Sequence, residues 1–180
     1  MNVDYAELFR TVHPGFFERE EIRALPKQEI FEEQILDLRA FRAEDFETDC
    51  PAHIAFGVYA GDTDTLREAV RKVDADWVEY FSDGDTVYCA FDGGKLAAFC
   101  LLDDLGEYRG LRVGAPGCVG TLPEYRRRGI GRRLMLCAAQ MLKEQGFDLS
   151  YIHYTAVGHW YEKLGYRTVL RWNAEGIVEE

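Results

Sequence analysis

The stretch EYRRRGIGRRL, Glu124 to Leu134, sets five arginines and two glycines into eleven positions of a 180-residue chain whose formal charge is -11. Arginine offers fork-shaped donors suited to phosphate, and glycine lets an anion reach the backbone amides. If the stretch opens a helix, the unpaired N–H groups and the positive end of the helix dipole add to the attraction. That chemistry is suited to a pyrophosphate. It is not a P-loop, which needs Gly-Lys followed by Ser or Thr, nor a dinucleotide turn, which needs GxGxxG directly after a strand. A solvated loop is the plainer reading of Arg126-x-x-Gly129-x-Gly131 taken alone.

Periodicity and punctuation indicate which elements hold that stretch. Residues 4 to 10 and 28 to 38 (QEIFEEQILDL) read as helices, with a loop at His13-Pro14-Gly15. HIAFGVYAG, 53 to 61, reads as a strand, and a helix runs from Asp62 or Asp64 to about Phe81. TVYCAFD and KLAAFCLLDD, 86 to 92 and 95 to 104, form a hairpin around Gly93-Gly94. A strand over 112 to 121 carries four helix- and strand-weakening residues, Gly114, Pro116, Gly117 and Gly120, which suggest a bulge or a close backbone approach. A helix over 129 to 145 stops at Gly146, and a strand (149 to 154), a short helix (GHWYEKL) and a last strand (YRTVLRW) follow. Strand, helix, strand over 112 to 154 is a βαβ unit with parallel strands. The fold class is therefore α/β, a mixed twisted sheet with helices on both faces.

Length and 47% apolar content suit one compact unit. Within it we expect residues 1–50 as a helical extension packed on a core of residues 51–180. No run is apolar enough to cross a bilayer, and the polar, acidic N-terminus does not read as a signal peptide. The expectation is a soluble, cytoplasmic protein with no membrane partner. Its five cysteines are widely spaced, with no CxxC pair and no histidine at metal-ligand spacing, so reduced thiols and no metal are expected. The acidic balance argues against nucleic acid, which needs a broad basic face.

The run VGTLPEYRRRGIGRRL, followed about 30 residues on by HWYEKLGYRTV, resembles the GNAT superfamily of N-acetyltransferases. Arg126, Gly129 and Gly131 match its acetyl-CoA motif, with Thr121-Leu122-Pro123 where the family has V-x-P. Tyr161-Glu162-Lys163-Leu164-Gly165-Tyr166 matches its later tyrosine motif. The resemblance covers about residues 50 to 172 and implies that acetyl-CoA, as co-substrate, lies between splayed fourth and fifth strands. Its pantetheine arm would meet Val119, Gly120 and Thr121, and its pyrophosphate the segment Arg126, Arg127, Arg128, Gly129, Ile130, Gly131 and Arg132. The acceptor would be a primary amine of a small molecule or peptide, attacking the thioester directly, in a monomer or homodimer.

By family position Tyr161 would donate to the departing sulfur; the alternative is a tyrosine that only packs. Many family members carry a glutamate on the fourth strand, and GAPGCVG, 114 to 120, has no acid. His153 is the candidate base, since a free imidazole, with a pKa of about 6.5, is the side-chain type suited to neutral pH; Asp103, Asp104 and Glu107 acting through water are the other choice. Cys118 lacks any sign of an activating partner for a covalent route. A non-catalytic acyl-CoA sensor and an interaction module remain the alternatives to an enzyme.

Overall fold

A computed structural model describes residues 3–179. Helix α1 (Tyr5–Val12) is capped by Asp4, whose carboxylate accepts from the Glu7 amide, and a single turn, α2 (Glu20–Arg23), follows. The strands are β1 (Phe31–Asp37), β2 (Ile54–Val58), β3 (Thr86–Asp92), β4 (Lys95–Tyr108), β5 (Leu111–Thr121), β6 (Leu149–Thr155), β7 (Arg167–Asn173) and β8 (Gly176–Glu179). Between them lie α3 (Thr63–Arg71), α4 (Ile130–Glu144) and α5 (Gly158–Glu162).

The eight strands form one sheet in the order β2-β3-β4-β5-β6-β1-β7-β8. Every neighbouring pair is antiparallel except β5 and β6, as the α4 crossover between them requires. Two buried faces result. On one, Leu134, Met135, Ala138 and Leu142 of α4 pack against Ala98, Cys100, Leu102 and Ile152, with Tyr161 and Leu164 from the α5 end. On the other, Leu8 and Phe9 of α1 cover Ile35, Val113, Tyr151 and Trp172, while Leu66 and Val70 of α3 cover Val87, Cys89, Phe99 and Leu101.

The largest departure from the sequence reading is the stretch 28–38, expected as helix and found as β1. Glu, Gln, Ile and Leu favour a helix locally, and Phe31, Ile35 and Leu38 mimic helical spacing. Tertiary pairing overrides this: β1 is hydrogen-bonded to β6 on one side and β7 on the other, so both its edges are filled. The first 50 residues thus place a strand inside the sheet. The helix expected over 62–81 is also shorter. Asp62 caps it through the Thr65 amide, but α3 ends at Arg71 because the Asp74 carboxylate accepts from the Asp76 amide and turns the chain into a 3-10 segment, Asp76–Tyr80. β4 runs four residues beyond its expected end, to a second tight turn at Arg109-Gly110, and β8 was not anticipated.

Ile35 is 2% exposed in the middle of β1. Ile35→Ala should lower unfolding stability by about 2–5 kcal/mol, the usual cost of truncating a packed core side chain. Urea denaturation measures it, and a loss below about 0.5 kcal/mol would mean that β1 is a dispensable attachment.

Candidate functional site

β5 and β6 stay paired for two residues only, Val113 with Leu149 and Gly114 with Ser150. Beyond that, β5 follows β4, reaching Gly120 opposite Phe99 and Thr121 opposite Ala98, while β6 follows β1, with Thr155 opposite Glu32. The two strands diverge and leave a wedge. Cys118 marks the bend of β5: it has φ +46°, inside the register shift between Phe99 and Leu101. Tyr154 on the far side of the wedge has φ +55°, and Arg127 at its mouth φ +60°. Three of the four non-glycine residues with positive φ among the described residues thus surround one opening, which is where backbone strain tends to collect at working sites.

The mouth is the start of α4. Gly129, φ +70°, precedes the helix and caps it with no side chain, and the first helical bond runs from the Arg133 amide to the Gly129 carbonyl. The amides of Ile130, Gly131 and Arg132 therefore have no helical partner. A side chain on Gly131 would start 2.8 Å from Thr121 Oγ1 and 3.8 Å from Trp160 of α5, so this glycine holds open the gap between β5 and α5. Gly129 serves a different contact. A Cβ there would come within 2.8 Å of the Cys50 backbone nitrogen, so its absence seats the Asp49–Cys50 chain against the loop.

The arginines divide by environment. Arg126 is exposed and donates from Nε to the Thr121 carbonyl at 3.1 Å, tying the loop to the end of β5. Arg127 is exposed, and the Arg128 guanidinium lies 5.7 Å from the centre of the Tyr125 ring. Arg132 is half-buried, and its Nε is shielded from solvent with no hydrogen-bond partner. Arg133 faces away, within electrostatic range of Cys50, Cys137 and Tyr88. The residues Val119 and Thr121 are half-buried on β5, and Gly120 is buried over the Phe99 ring.

Tyr161 is 9% exposed, on the α4 face, edge-on to Trp160 and Tyr166. Burial, and then the nearby Cys100 and Cys118 thiols, hold its hydroxyl well above the usual tyrosine range. It stays a proton donor. Burial also pushes the Cys118 thiol up to about 12, with Asp103 and Asp74 adding to the effect, so this cysteine is a poor nucleophile at neutral pH. The five cysteines are all free.

His153 lies on the opposite face. Two residues after Tyr151 on β6, it shares the side covered by α1 and stacks on His13 with ring centres 3.8 Å apart. Its Nδ1 is 3.0 Å from both oxygens of Glu33, a fully buried residue at the centre of β1. Glu33 Oε1 also accepts from the Trp172 indole at 2.6 Å and the Tyr154 amide at 3.1 Å. Burial, then His153 and Arg19, lower His13 to about 3, so its ring is neutral near pH 7, and its Nε2 is enclosed and unpartnered. Across the wedge, Gly117 pairs with Leu101 and Ala115 with Asp103, which turns Gly117 and Asp103 to this same face. Nothing lies within 4 Å of where a Gly117 side chain would start. The face therefore has an open space between the β5 bend and His153.

Sequence reasoning missed Glu33, His13 and Trp160. Reading 28–38 as a helix hid Glu33; as a strand, Phe31, Glu33 and Ile35 share one face, and an acid between two apolar residues there marks a buried carboxylate. His13, Glu33 and His153 have ligand-type atoms within 4.8 Å of one another. Glu33 Oε1 accepts from two N–H donors, both its oxygens meet His153 Nδ1, and the two imidazoles stack face to face.

The acetyltransferase (GNAT) domain family matches residues 83–168, which hold the wedge, the α4 mouth and Tyr161. Comparison with curated proteins gives no significant match. Among solved structures, a glucosamine N-acetyltransferase region of a fungal multi-domain GH3 β-N-acetylglucosaminidase superposes with TM-score 0.66 at 22% identity, over 81% of this chain and 20% of that one. A GCN5-related N-acetyltransferase from Kribbella flavida gives 0.58 at 18%, over 86% and 60%. A tandem GNAT protein of the clavulanic acid biosynthesis pathway gives 0.59 at 16%, over 83% and 52%. The chain thus spans a fifth to three-fifths of those proteins. No described helix is long and apolar enough to cross a membrane. Residues 83–168 match the acetyltransferase (GNAT) domain family, and the chain has the fold of the GNAT N-acetyltransferases on which it superposes.

Proposed function

We propose that the protein is an acetyl-CoA-dependent N-acetyltransferase acting on a primary amine by direct attack, and that residues 3–179 work as one unit. The observation that carries the reading is the wedge, opened by the parting of β5 from β6 after two residue pairs and ending at the uncapped start of α4. Free edges of β5 suit an extended amide-bearing arm, for which Val119, Gly120 and Thr121 supply the backbone. The unpaired amides of Ile130, Gly131 and Arg132 suit a pyrophosphate, and the enclosed, unpartnered Arg132 Nε fits an anion there. Exposed Arg127 and Arg128 add positive potential, while Arg126 and Gly129 hold the loop in shape. When bound, the thioester supplies the acetyl group, its C–S bond breaking as the new C–N bond forms.

The chain's own residues then have separable tasks. Tyr161 donates a hydrogen bond where negative charge grows on the departing sulfur, a role that suits a hydroxyl whose proton is held firmly. The acceptor enters on the other face, in the space before Gly117. An alkyl ammonium with a pKa of about 10.4 must lose a proton there, and His153 is the base we assign to receive it. Asp103 on that face, and Glu21 and Glu29 near the Tyr154 hydroxyl, favour a cationic acceptor. The raised Cys118 argues against an acyl-cysteine route. A cytoplasmic setting remains part of this reading.

Two substitutions test it. Gly131→Val places a side chain at the mouth without touching the Asp49–Cys50 packing, so acetyl-CoA affinity by calorimetry should fall at least about tenfold; unchanged affinity would remove the pyrophosphate from this site. Tyr161→Phe keeps the ring packing and should lower kcat about 10²- to 10³-fold with acetyl-CoA affinity nearly intact. CoA release with spermidine, glucosamine or an aminoglycoside as acceptor reads it out. Wild-type turnover in that mutant would leave Tyr161 as a packing residue, and CoA binding without any amine-dependent release would select the sensor instead.

A further inference from the structure

We infer that Glu33, on the N-terminal strand β1, is the positioning residue that turns His153 into a base aimed at the acceptor amine, with His13 as the roof of the pair. The inference rests on the acetyltransferase reading above and names a residue outside the 83–168 domain. The argument begins with the donor set. The Trp172 indole and the Tyr154 amide can only donate, so Glu33 Oε1 must act as an acceptor toward both. An ionised Glu33 can only accept through either oxygen, and with Glu33 in that form the 3.0 Å contacts to His153 Nδ1 put the proton on Nδ1. The lone pair is then fixed on Nε2, the nitrogen turned away from Glu33. A carboxylate behind a histidine also stabilises the imidazolium that forms when Nε2 takes a proton.

Placement agrees with this division of labour. His153 is three residues past the last β5–β6 pair, level with Gly117 across the wedge and on the same face. Its side chain is 24% exposed, while Glu33 is fully buried, so solvent and acceptor reach the imidazole and not the carboxylate. The groups facing His153 are Glu33 from β1, His13 from the end of α1, with Arg19 within range of His13 and Tyr151 packed on His13, and Tyr154 on its own strand. Among them His13 is held neutral by burial and does not compete for the proton. Phe9 and Phe16 complete an aromatic roof over the two rings. The step is a single proton transfer: the acceptor ammonium gives its proton to Nε2 and becomes a neutral amine, and His153 later returns that proton to solvent.

The test joins a spectroscopic and a kinetic reading on the full chain. In ¹⁵N-histidine spectra of the wild type, His153 should be the Nδ1–H tautomer; an Nε2–H tautomer overturns the inference. Glu33→Gln keeps the shape and an acceptor oxygen for Trp172. It should relax that tautomer preference, lower kcat about 10- to 100-fold, the scale of losing a second-layer partner, and leave acetyl-CoA affinity within twofold. The acidic limb of its pH–rate profile should move to lower pH, since the imidazolium has lost its carboxylate. A Glu33→Gln enzyme with the wild-type pH–rate profile, whatever its stability, overturns the inference as well. Failure of the acetyltransferase reading shows up separately, as no amine-dependent CoA release by the wild type, and the tautomer measurement still judges the pair in that event.

Discussion

The parting of β5 from β6 is the constraint on which the rest of this molecule depends. Strands in a sheet interior normally satisfy each other's amides and carbonyls, and unpaired buried backbone is costly. Here two neighbours share only two residue pairs before they diverge. Each compensates through its other neighbour: β5 continues along β4 to Thr121, and β6 along β1 to Thr155. The wedge is thus flanked by two half-sheets, and the cores on both faces bridge them, with α4 packed against strands from each half on one face.

This explains why the N-terminal segment matters. Without β1, β6 would be an edge strand on both sides of its free length, and β7 would lose its inner neighbour. β1 also brings Glu33 under His153, Trp172 and the Tyr154 amide, so one carboxylate ties β1, β6 and β7 together at the rim of the wedge. Removing one partner from such a buried network costs more than its hydrogen bonds suggest, because the others are left unsatisfied.

The charge distribution follows the same division. An overall charge of -11 coexists with a mouth made positive by α4 amides and arginines, on the edge of the wedge next to α5. The opposite face carries Asp103, with Glu21 and Glu29 near Tyr154. Anions and cations are thus favoured at different places around the wedge.

The sequence alone determined the elements whose signals are local. The hairpin around Gly93-Gly94, the α4 stripe ending at Gly146 and the parallel strands of the βαβ unit all follow from turn chemistry and periodicity, and the glycine–arginine loop was legible as the turn that opens α4. The motif at 158 to 166 likewise located Tyr161. Only the tertiary structure decided the fate of QEIFEEQILDL, because its choice of strand over helix comes from two partners more than 100 residues away, Ile152 with Gln34 and Leu170 with Glu33 among the pairs. With that strand came Glu33. His153 was legible as a titratable group, but its partner, its tautomer and its position on the face opposite Tyr161 arise from packing between distant segments, and neither composition nor spacing encodes them. The same holds for Gly129, whose need for a bare backbone comes from Asp49 and Cys50 as much as from the helix it begins.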